Sequence, residues 1–247
     1  MFQHRSQKSE RIDTGDYTPE EYRQFLREIA FINKYLGDRR ALKKTLFREI
    51  RSRGLQEFSV LDVGSGSGEL LRTIAGFARN TGRTAMLTGI DLNRISAETA
   101  RSMSGQYPEV TSVQGNAFSL PFEDGAFDYA ISSLFFHHLT DEQIPLVLKE
   151  MSRVARRGLF VIDLHRHPAA YVLYKLFCLA FRISPLVRHD GSLSILKGFK
   201  PGELREIALT NSPLHRIKVE RLSPFRVVLR ESLVPRINED KAPHFPR

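Results

Sequence analysis

A chain of 247 residues is long enough to bury one substantial core, and 41% hydrophobic with 26% charged residues is a globular composition, not a disordered or fibrous one. Lys and Arg (37) exceed Asp and Glu (28), a formal charge of +9 that suits an anionic partner, nucleic acid or an acidic membrane face, and serves solubility equally well. The one cysteine, Cys178, excludes an intrachain disulfide and disfavours a metal cluster, and residues 1–16 lack the apolar core of a signal peptide, so a cytoplasmic protein without a metal is expected.

In chain order, residues 1–16 are polar and charged and are expected to form a flexible tail. From Pro19 the pattern turns helical. Tyr22, Phe25, Leu26, Ile29, Phe31 and Ile32 recur at spacings of three and four, as do Leu42, Leu46 and Ile50, with Gly37-Asp38 as the break. Residues 17–55 are thus expected as an N-terminal helical cap. The apolar run 58–63 ends in glycines, as a strand buried on both faces does. A helix over 69–80, a strand over 84–90, a helix over 96–105 and strands over 110–114 and 127–132 follow. Thr140 and Gln143 form a capping box for a helix reaching Arg157, with Pro145 uncomfortably deep inside it and Arg153, Arg156 and Arg157 suited to its C-terminal end. A fifth strand covers 159–163. Such alternation implies a parallel sheet covered on both faces, with a core over 56–165. Residues 166–202 are expected as a helical insertion closing over substrate. Residues 203–234 then complete the sheet with a helix over 203–208 and strands over 216–222 and 225–230, before a tail at 235–247. The most apolar stretch, 169–181, is interrupted by Lys175 and is shorter than the roughly 20 residues of a membrane span. It suits a buried helix, a helix over a hydrophobic pocket, or one touching a membrane surface.

The sharpest chemical feature is Asp62-Val63-Gly64-Ser65-Gly66-Ser67-Gly68, which ends the first strand and opens a helix. Glycines let backbone turn tightly and approach a ligand closely. A phosphate-binding loop would need Gly-Lys-Ser/Thr, but Gly68 is followed by Glu69 and Leu70; the dinucleotide fingerprint would need a glycine where Glu69 stands. Asp62 and Glu69 would also repel a pyrophosphate. They suit a ligand with a cationic amino end, held by Asp62, with Gly64 and Gly66 letting it lie on the backbone. Asp91, closing the second strand, can accept hydrogen bonds from both hydroxyls of a ribose, and Leu92 can pack on a base. After the third strand, Asn116 can bond an adenine amino group through its amide oxygen, and Ala117 supplies a backbone N–H.

Together, VLDVGSGSG, GIDLN and GNAFSLPFEDGAFDYAIS, over residues 58–163, resemble class I S-adenosylmethionine (SAM)-dependent methyltransferases. The run from Leu120 to Asp128 is similar to the small-molecule branch that includes quinone-biosynthesis enzymes. Three further segments extend the likeness: INKYLG at 32–37, FHHL at 136–139 and RHDGSLS at 188–194. The resemblance implies a doubly wound, Rossmann-like seven-stranded sheet in the order 3-2-1-4-5-7-6, with the last strand antiparallel. It implies SAM as cofactor, held by Asp62, Gly64, Ser65, Gly66, Gly68, Asp91, Leu92, Asn116, Ala117 and Ser132, and a phenolic, quinone-like or polyketide-like acceptor methylated on a hydroxyl or an activated carbon. Many relatives carry Asp where this chain has Asn116, so the adenine contact is weaker ground than the ribose contact.

In open parallel sheets ligands lie beyond the carboxyl ends of the strands, which places Ser132, Ser133, Phe135, His137 and His138 near the crevice. His138 or His137 is the candidate base, because imidazole titrates near neutral pH. Tyr22, Tyr35, Tyr171 and Phe199 are candidate aromatic walls; Arg166, Arg188 and His189 are candidates to meet an anion. Two alternatives stand beside the small-molecule enzyme. The basic charge encourages RNA or protein methylation, although Ser132-Ser133-Leu134-Phe135 lacks the Asp/Asn-Pro-Pro-aromatic run of base-amine methylation, which makes nucleic acid a poor partner. The other is a non-catalytic SAM-binding protein.

Overall fold

A computed structural model of the chain describes residues 1–36, 38–210 and 216–233, with the side chains of 34–36 left aside. Gly37, the expected helix break, the Tyr35 side chain and the 235–247 tail lie outside the described parts. The N-terminal fifth is helical: α1 (Arg11–Thr14), α2 (Pro19–Leu36), α3 (Asp38–Lys44) and α4 (Leu46–Ser52). The sheet elements then alternate with helices: β1 (Glu57–Val63), α5 (Glu69–Asn80), β2 (Thr84–Asp91), α6 (Arg94–Met103), β3 (Val110–Gln114), β4 (Phe127–Ser133), α7 (Gln143–Val154) and β5 (Ala155–Leu164). Three helices, α8 (Pro168–Ala180), α9 (Pro185–Lys197) and α10 (Pro201–Leu209), precede β6 (Ile217–Leu222) and β7 (Arg226–Ser232).

The seven strands follow the order β3-β2-β1-β4-β5-β7-β6, with β1 to β5 parallel and β7 antiparallel to both of its neighbours. Side chains alternate across a strand, so adjacent residues feed opposite cores. Leu61 and Val63 face one cluster with Phe136, Val147 and Met151, while Phe58 and Val60 face the other with Leu46, Ile50 and Ile74. Two covered faces explain why these strands read as continuous apolar runs.

The buried Asp128 staples the central strands. One carboxylate oxygen accepts from the Ser59 N–H (2.8 Å) and hydroxyl; the other accepts from Arg156 Nε (3.0 Å) and Arg157 Nε (2.6 Å). Burial opposes its ionisation, and the two arginines outweigh burial, holding it below the usual carboxylate range. This corrects the helix expected to run to Arg157. The chain leaves the helix at Val154, and both arginines belong to β5. The helix also begins at Gln143, which places Pro145 in its first turn, where a missing N–H costs nothing. Thr140 and Gln143 still bond reciprocally ahead of it (2.9 and 3.3 Å).

Residues 1–16 form no loose tail in this structure. The fully buried Arg166 guanidinium donates to the carbonyls of Phe2 and Gln3 (both 3.1 Å), to that of Gly198, and to Glu203. It is thus an internal clamp and not an exposed anion binder. Arg5 lies 4.2 Å over the Phe199 ring, pairs with Asp141 and donates to the Leu139 carbonyl (3.0 Å). The Asp190 carboxylate accepts from the N–H groups of Arg11 and Ile12 (3.1 and 3.0 Å), opening α1. A strap is therefore tied down at three points. The cap packs on α8 and α9 through Ile32, Tyr174, Ile183, Val187 and Ile195. It reaches the sheet through the buried ion pair Asp38–Arg226 (2.6 Å).

Candidate active site

The carboxyl ends of β1, β2, β4 and β5 open into a cavity of about 1130 Å³, roofed by the strap, α2, α8 and α9. At one end lies the glycine loop. Its Gly64 and Ser65 N–H groups both donate to the Ile90 carbonyl (2.9 and 3.1 Å), tying it to the end of β2. Gly64 adopts φ +74°, and a Cβ there would fall 2.6 Å from the Phe135 ring, so only glycine admits this backbone with that ring against it. Gly66 adopts φ +52° and donates to Asp91 Oδ2 (2.9 Å), while Asp91 Oδ1 accepts from the Asn93 N–H (2.9 Å). A carboxylate has about four acceptor positions; these two N–H groups and the Ser96 side chain leave about one of Asp91's for a ligand.

Asp62 lies beside Asp91 and is almost wholly buried. Burial, reinforced by the Asp91 charge, pushes its carboxyl up to about 8, and burial raises Asp91 as well. Two carboxylates crowded into one cavity wall call for a cation or a set of donors between them. The hydroxyls of Ser65 and Ser133 are buried in the same wall without a hydrogen-bond partner. A ligand carrying an ammonium, a carboxylate and a ribose would satisfy all four groups.

Not every expected residue reaches the cavity. Ser132 is buried, its hydroxyl bonded to the Val63 carbonyl (2.7 Å), and stays behind the wall; its neighbour Ser133 lines it. Strand alternation puts one of the two serines on each side. Gly68, at φ +73°, starts α5 against Ala100 and is absent from the wall. Leu92, Asn116 and Ala117 line the cavity; Leu92 and Asn116 are exposed at its mouth, and the Asn116 amide oxygen already accepts from the Phe118 N–H (2.9 Å). Tyr22 contributes a wall, with its hydroxyl 2.7 Å from Ser96 Oγ, whereas Tyr171 and Phe199 do not. Arg188 and His189 are exposed and outside the wall.

The other end of the cavity holds an ion cluster. His137 and His138 occupy a single 3₁₀ turn, Phe136–His138, directly after β4. His137 is buried, and its Nδ1 contacts Asp163 Oδ1 at 2.8 Å, while Asp163 Oδ2 accepts the His137 N–H (3.2 Å). Burial opposes the ionisation of Asp163, and His137 with its hydrogen bonds outweighs it, keeping this carboxyl low. His138 Nδ1 lies 2.7 Å from Asp13 Oδ1, and Glu10 Oε1 is 4.0 Å from both rings. Lys197 Nζ reaches Glu10 Oε1 (3.4 Å) and Asp13 Oδ2 (3.0 Å). Burial alone would lower His138; Asp13 and Glu10 outweigh it and raise its pKa. Burial likewise opposes the charge on Asp13, and His138 and Lys197 hold that carboxyl far below its ordinary value. One donor atom from each of Glu10, His137 and His138 lies within 4.8 Å of the others, a spacing that ligates metals, but Lys197 already brings a cation to Glu10.

Glu10, Asp13, Tyr17, Lys197 and Phe225 are wall residues that the sequence did not single out. The first two fall in a charged stretch with no hydrophobic period. Residues 60–158 match the methyltransferase domain family. The fold around those residues is that of a methyltransferase domain. The chain is 31% identical over 137 residues, 55% of each chain, to demethylmenaquinone methyltransferase of Staphylococcus aureus strain MRSA252. The chain spans about half the length of the curated relatives it matches. Among solved structures, a SAM-dependent methyltransferase from Aquifex aeolicus aligns over 88% of this chain and 100% of that one, with TM-score 0.59 and 19% identity. Human N-acetylserotonin methyltransferase in complex with SAM aligns over 87% of this chain and 56% of that one, with TM-score 0.61 and 15% identity. At those identities the structures speak for the methyltransferase fold alone. No described helix is long and apolar enough to cross a membrane.

Proposed function

We propose that the chain transfers the methyl group of SAM to a hydroxyl or an acidic carbon of a small, largely apolar aromatic acceptor. One observation carries this. A single cavity joins the paired carboxylates Asp62 and Asp91, at the strand ends, to two histidines oriented by carboxylates. Its volume of about 1130 Å³ exceeds what one nucleoside fills and is at the upper end of small-molecule sites, so cofactor and acceptor fit together. Tyr22, Phe25, Phe135, Tyr174 and Phe225 give it aromatic surface. The quinone-related relative supports an acceptor of that class.

In this assignment Asp91 holds the ribose, Asp62 the ammonium, and the glycine loop the amino-acid portion. Leu92, Asn116 and Ala117 line the adenine position. Bound SAM supplies an electrophilic methyl on a sulfonium, so the protein has to orient the nucleophile, remove its proton and exclude water. Asp163 accepts from His137 Nδ1, which leaves the Nε2 lone pair of His137 to take the acceptor's proton. His138, whose pKa Asp13 and Glu10 raise against burial, would in its protonated form stabilise the resulting oxyanion. Methyl transfer to that oxygen or carbon would leave S-adenosylhomocysteine (SAH) and a neutral ether or alkylated ring.

Calorimetry with SAH and mass-detected turnover on a panel of phenols and hydroxyquinones test the proposal. Binding of SAH together with a methylated product at +14 mass units, roughly one CH₂, is the expected result. SAH binding without any product from the panel would favour the non-catalytic alternative, and no SAH binding would remove the proposal altogether.

A further inference from the structure

Helix α8 is the most apolar of the described helices, yet much of its apolar surface faces outward. Val172, Leu173, Leu176 and Leu179 are exposed, with Leu179 at 73%, and so is Phe181 just beyond the helix. Phe31 of α2 extends the patch, its ring 5.5 Å from Phe181 and 6.0 Å from Phe177. The opposite face of α8 is satisfied by Ala170, Tyr174 and Cys178, which pack on the cap and α9. Six large apolar side chains in one contiguous surface mark an interaction site and not ordinary scatter.

Two observations identify the occupant. The cations around the patch share one sign: Lys175 and Arg182 are exposed on α8 and its C-terminal turn, and Arg27 is exposed one helical turn before Phe31. The acidic neighbour Glu28 is turned inward, accepting from the N–H and hydroxyl of Ser184 (3.0 and 2.7 Å). Leu173 also belongs to both surfaces, being 53% exposed and part of the cavity wall together with Ala170 and Tyr174. The patch therefore runs into the acceptor end of the cavity.

We infer that α8 and Phe31 dock this protein on an anionic lipid bilayer, lying in the headgroup plane with Lys175, Arg182 and Arg27 against phosphates. An apolar stripe edged by cations is the arrangement of interfacial helices. The inference stands apart from the methyltransferase proposal; taken with it, the bilayer is where a lipophilic acceptor would be drawn from, past Leu173.

Flotation of the full chain with vesicles tests it, using phosphatidylcholine alone and phosphatidylcholine mixed with phosphatidylglycerol. Binding to the mixed vesicles should exceed binding to the neutral ones by about tenfold or more and should fall with salt. Leu176→Glu with Leu179→Glu should lose that binding by about tenfold or more while SAH affinity in solution is kept, since both side chains are exposed. Lys175→Glu with Arg182→Glu should lose only the increment given by phosphatidylglycerol. The inference is overturned if neither vesicle floats the wild type, or if the double Leu variant floats equally well. It is also overturned if sedimentation shows a dimer that this variant dissociates, because a second copy then covers the patch. SAH affinity reads the enzymatic proposal separately: its failure with intact flotation sinks methyl transfer alone, and the converse sinks the membrane alone.

Discussion

The two ends of the cavity are built in different ways. The Asp62–Asp91 end comes from two neighbouring parallel strands and the turn between β1 and α5, tied by the Gly66–Asp91 hydrogen bond across only 25 positions. The histidine end is assembled from four places: the strap gives Glu10 and Asp13, the turn after β4 gives the histidines, β5 gives Asp163, and α9 gives Lys197, which pairs with Asp13 across 184 positions. A site made from strand ends inherits the rigidity of the sheet. The part made where strap, turn and helix meet is complete only when the strap is docked, and on the proposed function it would let the acceptor vary without disturbing the Asp62–Asp91 end.

If the ends are separable in this way, the largest effect should fall on turnover alone. His137→Ala and Asp163→Asn should each lower kcat by about a hundredfold or more, through loss of the base or of its orientation, with SAH affinity changed less than about threefold. A parallel loss of SAH binding in either variant would join the two ends and break the comparison. Next in size is Asp91→Ala, which removes the acceptor for a ribose and for the Gly66 N–H. SAH affinity measured by calorimetry should fall about a hundredfold, two charge-assisted hydrogen bonds at roughly 1.5 kcal/mol each.

Removing residues 2–16 should act on the histidine end only. Turnover should fall by about thirtyfold or more as Glu10 and Asp13 leave the histidines open to water, while SAH affinity stays within about threefold. Because the truncation uncovers the Arg166 clamp, Asp13→Asn serves as the milder companion. His138 owes its raised pKa to Asp13 and Glu10, against burial and against Lys197, with His137, Asp163 and Asp91 nearby. Weakening that set should move the alkaline limb of kcat to lower pH. The sign follows from linkage: a raised histidine pKa stabilises the folded state at low pH, and that contribution is lost as pH rises through the folded value. An unmoved alkaline limb would show that His138 has no part in turnover.

The difference in construction also explains what could be read from the chain. The glycine loop, Asp62 and Asp91 were legible because their chemistry is local and strand ends announce themselves by a run of Val and Leu followed by Gly. The sheet order came from the resemblance and agrees with the structure. The strap was hidden because its contacts use backbone carbonyls and single charges, as with Phe2 and Gln3 on Arg166, which leave no period in the sequence. The bounds of helix α9, within the expected helical insertion, were hidden for the opposite reason. It is buried on most sides, by Leu186, Val187, Asp190, Leu193, Ser194 and Ile195, so its pattern has no polar face. A usable signal was present at the starts of α8, α9 and α10, each a residue followed by proline: His167-Pro168, Ser184-Pro185 and Lys200-Pro201. Which of Ser132 and Ser133 lines the cavity was not legible, since adjacent strand residues face opposite ways and nothing local sets the register.

Asp62 offers a finer test of the cofactor end. Its carboxyl stands at about 8 against an ordinary 3.8, so the unliganded folded chain holds a proton that the unfolded chain has released over that interval. The protein without ligand should therefore lose stability as pH rises from about 4 to about 8. A ligand ammonium needs the ionised form. SAH affinity should accordingly climb by up to about tenfold per pH unit as pH approaches 8, with proton release visible by calorimetry in two buffers of different ionisation enthalpy. Asp62→Asn should flatten that slope; an equally steep slope in the variant would place the linked proton elsewhere.

The smallest effect belongs to Asn116, which separates contact from proximity. It lines the cavity, but it is exposed, and its amide oxygen already accepts from the Phe118 N–H, so only one lone pair remains for an adenine amino group. A neutral, solvent-shared hydrogen bond contributes about 0.5–1 kcal/mol, so Asn116→Ala should weaken SAH by only about twofold to fivefold. Asn116→Asp keeps the turn and replaces the amide by a carboxylate, a stronger acceptor, and should tighten SAH by a similar factor. If Asn116→Ala instead weakens SAH as much as Asp91→Ala does, adenine is gripped more firmly than ribose. The cofactor end would then be anchored at its outer rim and not at the strand ends.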